Sequence, residues 1–307
     1  MARKCYICRQ RIKTGLFIYS EKQKMRKQTI SLTILLLTLV LFFPACADKV
    51  SKDADHIQWD SLSVVKSAHL LGDTAAPSCQ LDLNIWYAAT ADSTGLRDSV
   101  NAYITAFSLG SYYVHLTPQE AVASYVQKYV EEYRNDLEPI YQTESEMYDD
   151  LDSSAWDFTQ TLHGHVQFYH QNLLVYRKYY EEYTGGVHGM YLTSFLNLDL
   201  HTMLPIRLDD ILVDNYQEQL TDLLCRQLMK DEEVGSIAEL EEIGYMSNSN
   251  LEPTENFYLD EKGITFYYNV YEIAPFVMGP TAITLSYDTL HHLLSDDSQV
   301  INEIRIH

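Results

Sequence analysis

The chain has 307 residues, with 22 Lys and Arg against 43 Asp and Glu, so its formal net charge at pH 7 is −21. This excess of negative charge repels phosphate backbones and anionic lipid, which excludes nucleic acid as an expected partner and favours a cationic one. Solubility alone is the other interpretation of the same charge, and the sequence leaves both open.

An uncharged apolar run at residues 29–43 marks the N-terminal region. A helix needs about 20 apolar residues to cross a bilayer, so this run is too short to span one and is typical of a signal peptide. Met25 starts a basic segment directly before it. We therefore predict a signal peptide at 25–45, with residues 1–24 as an upstream segment that is not translated; Met1 is the alternative start.

Cys46 follows the apolar run after a small residue, the arrangement typical of bacterial lipoproteins. Acyl chains on Cys46 would hold the protein in a membrane, and residues 46–56 would form the lipidated end and a polar tether. The expected location is the cell envelope, on the outer membrane, with the lipid anchor as the only membrane contact. Cleavage near Ala45 or Ala47, which leaves a soluble protein, is the alternative. Removal of residues 1–45 changes the formal net charge from −21 to −29.

Two further cysteines, Cys79 and Cys225, remain in the mature chain. Outside the cytoplasm they could form one disulfide or stay as two free thiols, and the sequence leaves this open. With so few cysteines, a chain of this length must be stabilised by an ordinary apolar core.

The first half of the mature chain mixes strands and helices. Alternation of apolar and polar residues predicts strands at 57–70 and 79–88. Helical spacing predicts a helix at 93–109, and the Thr117–Glu120 capping box, with Pro at the first helical position, begins a second one. The remaining elements of this half are predicted strands, at 156–168, 173–183 and 191–200. The segment 173–183 also fits helical spacing, but turns on both sides favour a strand.

The second half repeats this mixture. Its predicted elements are helices at 207–212, 216–230 and from the capping box at 236–239, a hairpin at 257–268, a strand at 281–285, a helix at 288–294 and a last strand at 300–306. Strands with segregated helices predict an α+β fold with mainly antiparallel sheets. We predict two consecutive subdomains, an N-terminal one at 57–186 and a C-terminal one at 187–307.

Several phrases in these elements resemble a known family. They are YTGGVHG at 183–189, FLNLDL at 195–200, LDDIL at 208–212 and YEIAPFVMG at 271–279. In order and spacing they are similar to the extracytoplasmic domain pair of RsiV-type anti-sigma factors and PdaC-type deacetylases, over residues 57–295. The resemblance covers neither a sigma-binding segment nor a deacetylase domain. It therefore implies a binding role only, and the RsiV-type members bind lysozyme, a basic protein.

Six residues of these phrases are the candidate binding residues: Tyr183, Gly185, Gly186, His188, Tyr271 and Glu272. The glycines allow close approach of the backbone and expose the ring of His188. Pro275 ends a predicted strand at the second phrase, which places Tyr271 and Glu272 at the end of a sheet. Turn formation by the glycines and a structural hydrogen bond from His188 are the alternative roles.

No motif assigns catalysis. His163 and His165 share one face of a predicted strand, but neither an HExxH motif nor a cysteine pair accompanies them, so we expect no metal and no cofactor. The expected function is therefore non-enzymatic binding of a cationic, lysozyme-like protein or of cell-wall glycan such as peptidoglycan. An envelope hydrolase that uses His188 and Glu272, and a structural or assembly lipoprotein, are the alternatives.

Overall fold

The computed structural model describes residues 57–147, 153–246 and 251–305. The predicted signal peptide, Cys46 and the tether precede residue 57 and lie outside these ranges. The described chain combines helices with two β-sheets, which confirms the predicted α+β class. Within these ranges, no helix has both the length and the apolar character that crossing a bilayer requires.

The first sheet contains six strands in chain order: β1 (Gln58–His69), β2 (Ser78–Thr90), β3 (Phe158–His170), β4 (Leu173–Tyr183), β5 (Met190–Asp199) and β6 (Leu204–Pro205). Neighbouring strands are antiparallel except for β2 and β3, which are parallel. A parallel pair needs a long crossover connection. The chain supplies it as two helices, α1 (Thr94–Ser108) and α2 (Pro118–Met147).

Side-chain caps start both crossover helices. Leu96 N donates to Ser93 Oγ at 3.1 Å at the start of α1. At α2, Glu120 N donates to Thr117 Oγ1 at 3.3 Å, and Thr117 N donates to Glu120 Oε2 at 3.0 Å. This reciprocal pair is the capping box that the sequence predicts.

The first apolar core lies between these helices and one face of the first sheet. Leu81, Leu83 and Ile85 of β2 point into it, whereas Asp82 and Asn84 point to the opposite side. Over β1, β2 and β3 that opposite side faces solvent, and we call it the open face. Because side chains alternate along a strand, one strand supplies both the core and the open face.

Strand β4 is buried on both faces. Leu174 and Tyr176 belong to the first core, and Leu173 and Val175 belong to a second core. All four are at most 2% exposed. A strand buried on both faces carries apolar residues in succession rather than in alternation, which is why this segment fits two patterns. The structure confirms the strand.

The second core is completed by the C-terminal half. The second sheet there is antiparallel, with strands β7 (Phe257–Asp260), β8 (Gly263–Tyr268) and β9 (Thr281–Ser286). The described helices around it are α3 (Leu208–Ile211), α4 (Gln217–Asp231), α5 (Ile237–Glu242), α6 (Tyr287–Leu290) and α7 (Gln299–Arg305). The hairpin that the sequence predicts is β7 and β8.

The predicted boundary between residues 186 and 187 falls between two paired strands. β4 and β5 are in register from Leu173 with Asp199 to Glu182 with Met190. The first sheet therefore continues across that boundary, and the two cores meet at β4.

Asparagine side chains join the second sheet to the outer edge of β5. Thr193 N donates to Asn269 Oδ1 at 2.7 Å, and Asn256 Nδ2 donates to Thr193 O at 2.9 Å. Phe195 N donates to Asn256 Oδ1 at 3.1 Å. Two positions further along, Asn197 Nδ2 donates to Phe257 O at 2.7 Å. These amides occupy backbone groups that a further strand would otherwise pair with.

Two elements differ from the sequence prediction. The last segment is predicted as a strand at 300–306, and its described part, up to residue 305, is helix α7. Val300, Ile301 and Ile304 have the spacing of one helix face, and that face packs into the second core. The run at 271–275, predicted to end a strand, is a turn, since β8 already ends at Tyr268.

Candidate binding site

Two loops that are distant in sequence meet at one end of the second sheet. The first, at 184–189, follows β4, and the second, at 269–279, follows β8. The Oη atom of Tyr271 lies 3.4 Å from Nε2 of His188. The two phrases that supply the candidate binding residues are therefore brought together, although 83 positions separate His188 from Tyr271.

Glycines shape the first loop. Gly185 has a φ of 80°, and a Cβ atom at this position would lie 2.6 Å from the carbonyl oxygen of Ala155. Only glycine fits so close to the backbone of a neighbouring segment. Tyr183 Oη donates to Gly186 O at 3.1 Å and closes the loop. Tyr183, Gly185 and Gly186 thus position the loop and leave His188 exposed at its end.

A tight turn shapes the second loop. Glu272 N donates to Asn269 O at 3.1 Å, and Asn269 N donates to Glu272 Oε2 at 2.7 Å. Between them Tyr271 adopts a φ of 68°, a left-handed conformation that is uncommon for a residue with a side chain. The carboxylate of Glu272 stabilises this turn, and the turn presents Tyr271 to the first loop.

Four rings form what we call the aromatic cluster: His188, Tyr191, Tyr271 and Phe276. His188 stacks on Phe276 with ring centroids 4.5 Å apart. Tyr271 and Tyr191 approach the same ring at 5.4 and 5.5 Å. Phe276 is therefore the centre of the cluster. Phe276 is not among the candidate residues predicted from the sequence, although it lies inside the phrase at 271–279, and the family resemblance of that phrase is the signal that could have identified it.

Hydrogen bonds determine the tautomer of His188. Its Nδ1 lies 2.8 Å from Gly189 O, and a carbonyl oxygen can only accept, so Nδ1 carries the proton. In the neutral ring, Nε2 is then an acceptor and receives the hydroxyl of Tyr271. A general base needs such a nitrogen aimed at a substrate proton. Here a tyrosine occupies it, and the carboxylate of Glu272 is engaged with the turn.

Exposed apolar side chains surround the aromatic cluster. Val187 is fully exposed at 100%, Val277 is 89% exposed, and Tyr271 is 56% exposed. On the strand side, Glu181 is in register with Tyr191 and accepts a hydrogen bond from Tyr179 Oη at 2.7 Å. Burial together with Glu181 raises the pKa of Tyr179 to about 12, so this tyrosine stays a hydrogen-bond donor at neutral pH. The result is an apolar, aromatic surface with carboxylates beside it.

A separate cleft of about 480 Å³ lies on the open face, and we call it the Trp86 cleft. Trp86, which is 40% exposed, lines it together with Asp82, Asn84 and His163. His163 Nε2 lies 3.3 Å from Asp82 Oδ1. His165 also lines the cleft, and burial lowers its pKa, with a further contribution from Arg177. In the described ranges, no group of three His, Cys, Asp or Glu residues could hold a metal ion.

Cys79 and Cys225 are both free thiols in the structure. Cys79 is completely buried, and burial raises the pKa of both thiols. A raised pKa keeps a thiol protonated and unreactive, so both side chains act as small apolar residues.

Comparisons with known proteins give one family. A model of the family described as "Protein of unknown function (DUF3298)" matches residues 209–288. A DUF3298 structure from Bacteroides fragilis is 44% identical, with a TM-score of 0.80, over 83% of this chain and 100% of that one. A DUF3298 structure from Pseudomonas aeruginosa shares the fold at 15% identity, with a TM-score of 0.55, over 78% and 95% of the two chains. No curated protein matches the chain.

Proposed function

The chain belongs to the DUF3298 family, and from this premise we propose that it is a lipid-anchored, non-enzymatic binding protein of the cell envelope that captures a cationic protein. The binding surface is the aromatic cluster with Val187 and Val277 beside it. Cys46 is the anchor, and the domain that follows it reaches the partner outside the cytoplasm.

The observation that carries this proposal is the exposure of apolar side chains around stacked rings. Val187 and Val277 are almost wholly exposed beside the stacked pair His188 and Phe276. Soluble proteins rarely expose apolar groups together unless they bind something there. Aromatic residues held rigidly by their neighbours are the usual centres of protein interfaces.

Charge supports a cationic partner. Without the leader, the formal net charge is −29. A negative potential attracts basic proteins and raises their association rate. Both effects weaken as the salt concentration rises, because salt screens the charges. Lysozyme is the basic protein that the resemblance to RsiV-type domains suggests as the first probe.

The geometry of the loops supports binding rather than hydrolysis. Nε2 of His188 receives the hydroxyl of Tyr271, and the carboxylate of Glu272 accepts from the backbone of its own turn. A hydrolase needs a base within reach of a nucleophile and free to take its proton. Both candidate groups have structural partners instead.

Titration of the full chain against lysozyme at low and moderate salt tests the proposal. We expect saturable binding that weakens as salt rises. Val277→Lys removes an apolar contact and adds a repelling charge at the surface, so it should weaken binding by at least about tenfold. Val114→Lys makes the same change of charge at a residue that is 39% exposed on another part of the domain, and it should have little effect.

Two results would contradict the proposal. One is the absence of saturable binding to lysozyme at either salt concentration. The other is equal weakening by Val277→Lys and Val114→Lys, because that would assign the attraction to overall charge and not to the aromatic cluster.

The Trp86 cleft favours a second binding function, for a neutral cell-wall glycan. An exposed indole offers a flat apolar face to a sugar ring, and Asp82, Asn84 and His163 supply donors and acceptors for hydroxyl groups. Oligomers of N-acetylglucosamine should therefore change the tryptophan fluorescence of the full chain. Trp86→Ala should abolish this response, and Phe276→Ala should leave it intact. An unchanged response in Trp86→Ala would rule out the cleft.

A further inference from the structure

Strand β1 forms a long free edge of the first sheet. It runs from Gln58 to His69 and pairs with β2 along one side only. Among the residues that the structure describes, no strand pairs with its outer side. The outer backbone groups of such an edge are a template for another strand.

The two sides of the first sheet differ in how many of their outer backbone groups have partners. On the far side, β6 pairs only with the end of β5, and Asn256 and Asn269 occupy outer backbone groups of the rest of β5, next to the second sheet. β1 contains neither proline nor glycine, the residues that commonly interrupt an edge. Two backbone groups of β1 have side-chain partners: Ser61 N donates to Asp60 Oδ1 at 2.7 Å, and His69 O accepts from Arg134. An incoming strand would displace the first contact, and the second lies at the very end of the edge.

We propose that β1 pairs with β1 of a second copy of this chain, antiparallel and centred on Ser63, so that the sheet continues across a twofold dimer. In this register residue 58 faces residue 68 of the partner copy, and every residue between them finds a partner. An interface built from one surface on both copies is the usual arrangement of a twofold dimer.

Charge complementarity selects the register. β1 contains one acidic residue, Asp60, and one lysine, Lys66, and both are exposed. Only pairing centred on Ser63 sets Asp60 of each copy directly opposite Lys66 of the other. The twofold axis makes this contact twice, and opposite charges that face each other across antiparallel strands stabilise the pair.

The neutral side chains fit the same register. On the helix side of the sheet, the half-buried Leu62 would face Val64 of the other copy and extend the first core. On the open face, Val65 is 80% exposed and would lie opposite Ser61. The pairing thus buries apolar surface on both sides without opposing like charges.

Charge reversal in the full chain tests the pairing by sedimentation in detergent. In the dimer, Asp60→Lys or Lys66→Asp alone would set two like charges opposite each other at two places. Each single variant should therefore raise the dissociation constant of the dimer by about tenfold. The double variant restores both pairs and should recover the dimer. Recovery distinguishes pairing in this register from a general effect of charge or of folding. A monomeric parent chain, or a double variant no better than the single ones, overturns the proposal.

A cysteine at the axis gives an independent measurement. Ser63→Cys would place two thiols opposite each other, and mild oxidation of the full chain should link two copies by a disulfide. In the same register residue 67 faces Trp59 of the other copy, so Ser67→Cys should not form a disulfide between the two copies. The parent chain controls for disulfides formed by the natural cysteines. Equal linking in all three chains, or in none, contradicts the register.

Discussion

Gly164 in β3 leaves room for the buried ring of Tyr176 in the neighbouring strand β4. A Cβ atom at this position would lie 2.8 Å from Cε1 of Tyr176, which is completely buried and donates its hydroxyl to Trp86 O at 2.9 Å. The ring can move little, because the core and this hydrogen bond hold it. Because Gly164 carries no Cβ atom, β4 can hold the large side chain of Tyr176 beside it.

Gly164→Ala should therefore lower the free energy of unfolding by about 1–3 kcal/mol, the usual effect of overpacking a core. Gly95→Ala is the control, since no atom lies within 4 Å of the added Cβ in helix α1. It should raise stability by up to about 1 kcal/mol, because alanine favours a helix. Urea unfolding of both variants measures the difference. Equal stability would show that Tyr176 can shift.

At the same scale, the candidate site is only partly predictable from sequence. The resemblance selects both loops, but it does not separate residues that form the surface from residues that shape it. Tyr183, Gly185 and Glu272 turn out to shape the loops. Phe276 is the half-buried centre of the aromatic cluster, and Trp86 is an exposed wall of its cleft. Only three-dimensional packing distinguishes these two rings from ordinary core aromatics.

Among the elements, β5 has the most unusual environment, because side-chain amides take the place of a neighbouring strand. Asn256 makes contacts with Thr193, Phe195 and Tyr267. Asn256→Ala would remove the side-chain partner of Phe195 N and of Tyr267 O, and one of the two side-chain donors to Thr193 O, so it should cost about 2–4 kcal/mol of stability. Asn84→Ala, on the open face, should change stability by less than about 0.5 kcal/mol. Thermal unfolding of the two variants tests this, and similar values would contradict it.

The elements themselves are largely predictable, for identifiable reasons. The capping box at Thr117 and the two-residue alternation in β2 are local signals, and the structure confirms both. Helix α7 is not predicted, because its β-branched residues favour a strand by propensity. Its burial against the second core decides in favour of a helix, and that contact involves residues far away in sequence.

On the scale of the whole molecule, buried tyrosines dominate the response to alkaline pH. The chain has 24 tyrosines. Burial raises the pKa of several of them above the ordinary value of 10.0, strongly for Tyr129, Tyr133, Tyr176, Tyr180 and Tyr268, and to about 12 for Tyr216. A folded-state pKa above the unfolded-state value means that the folded chain binds more protons between the two values.

The contribution of these buried tyrosines to the free energy of unfolding should therefore be fully present below about pH 10. It should fall as the pH rises towards their folded-state pKa values. Circular dichroism and tyrosinate absorbance, followed together through this range, measure the effect. We expect exposed tyrosines to ionise first and the buried ones to ionise only as the fold is lost. Ionisation of all tyrosines in a single step near pH 10, with the circular dichroism unchanged, would contradict this.

The double burial of β4 has a consequence for the order in which the protein can form. The ribosome makes β4 well before the helices and strands that cover Leu173 and Val175, which extend along the chain as far as Ile301. Until those helices and strands are made, the face of β4 that carries Leu173 and Val175 stays exposed to solvent. A nascent chain, or one truncated before helix α7, should therefore expose this strand and depend on chaperones.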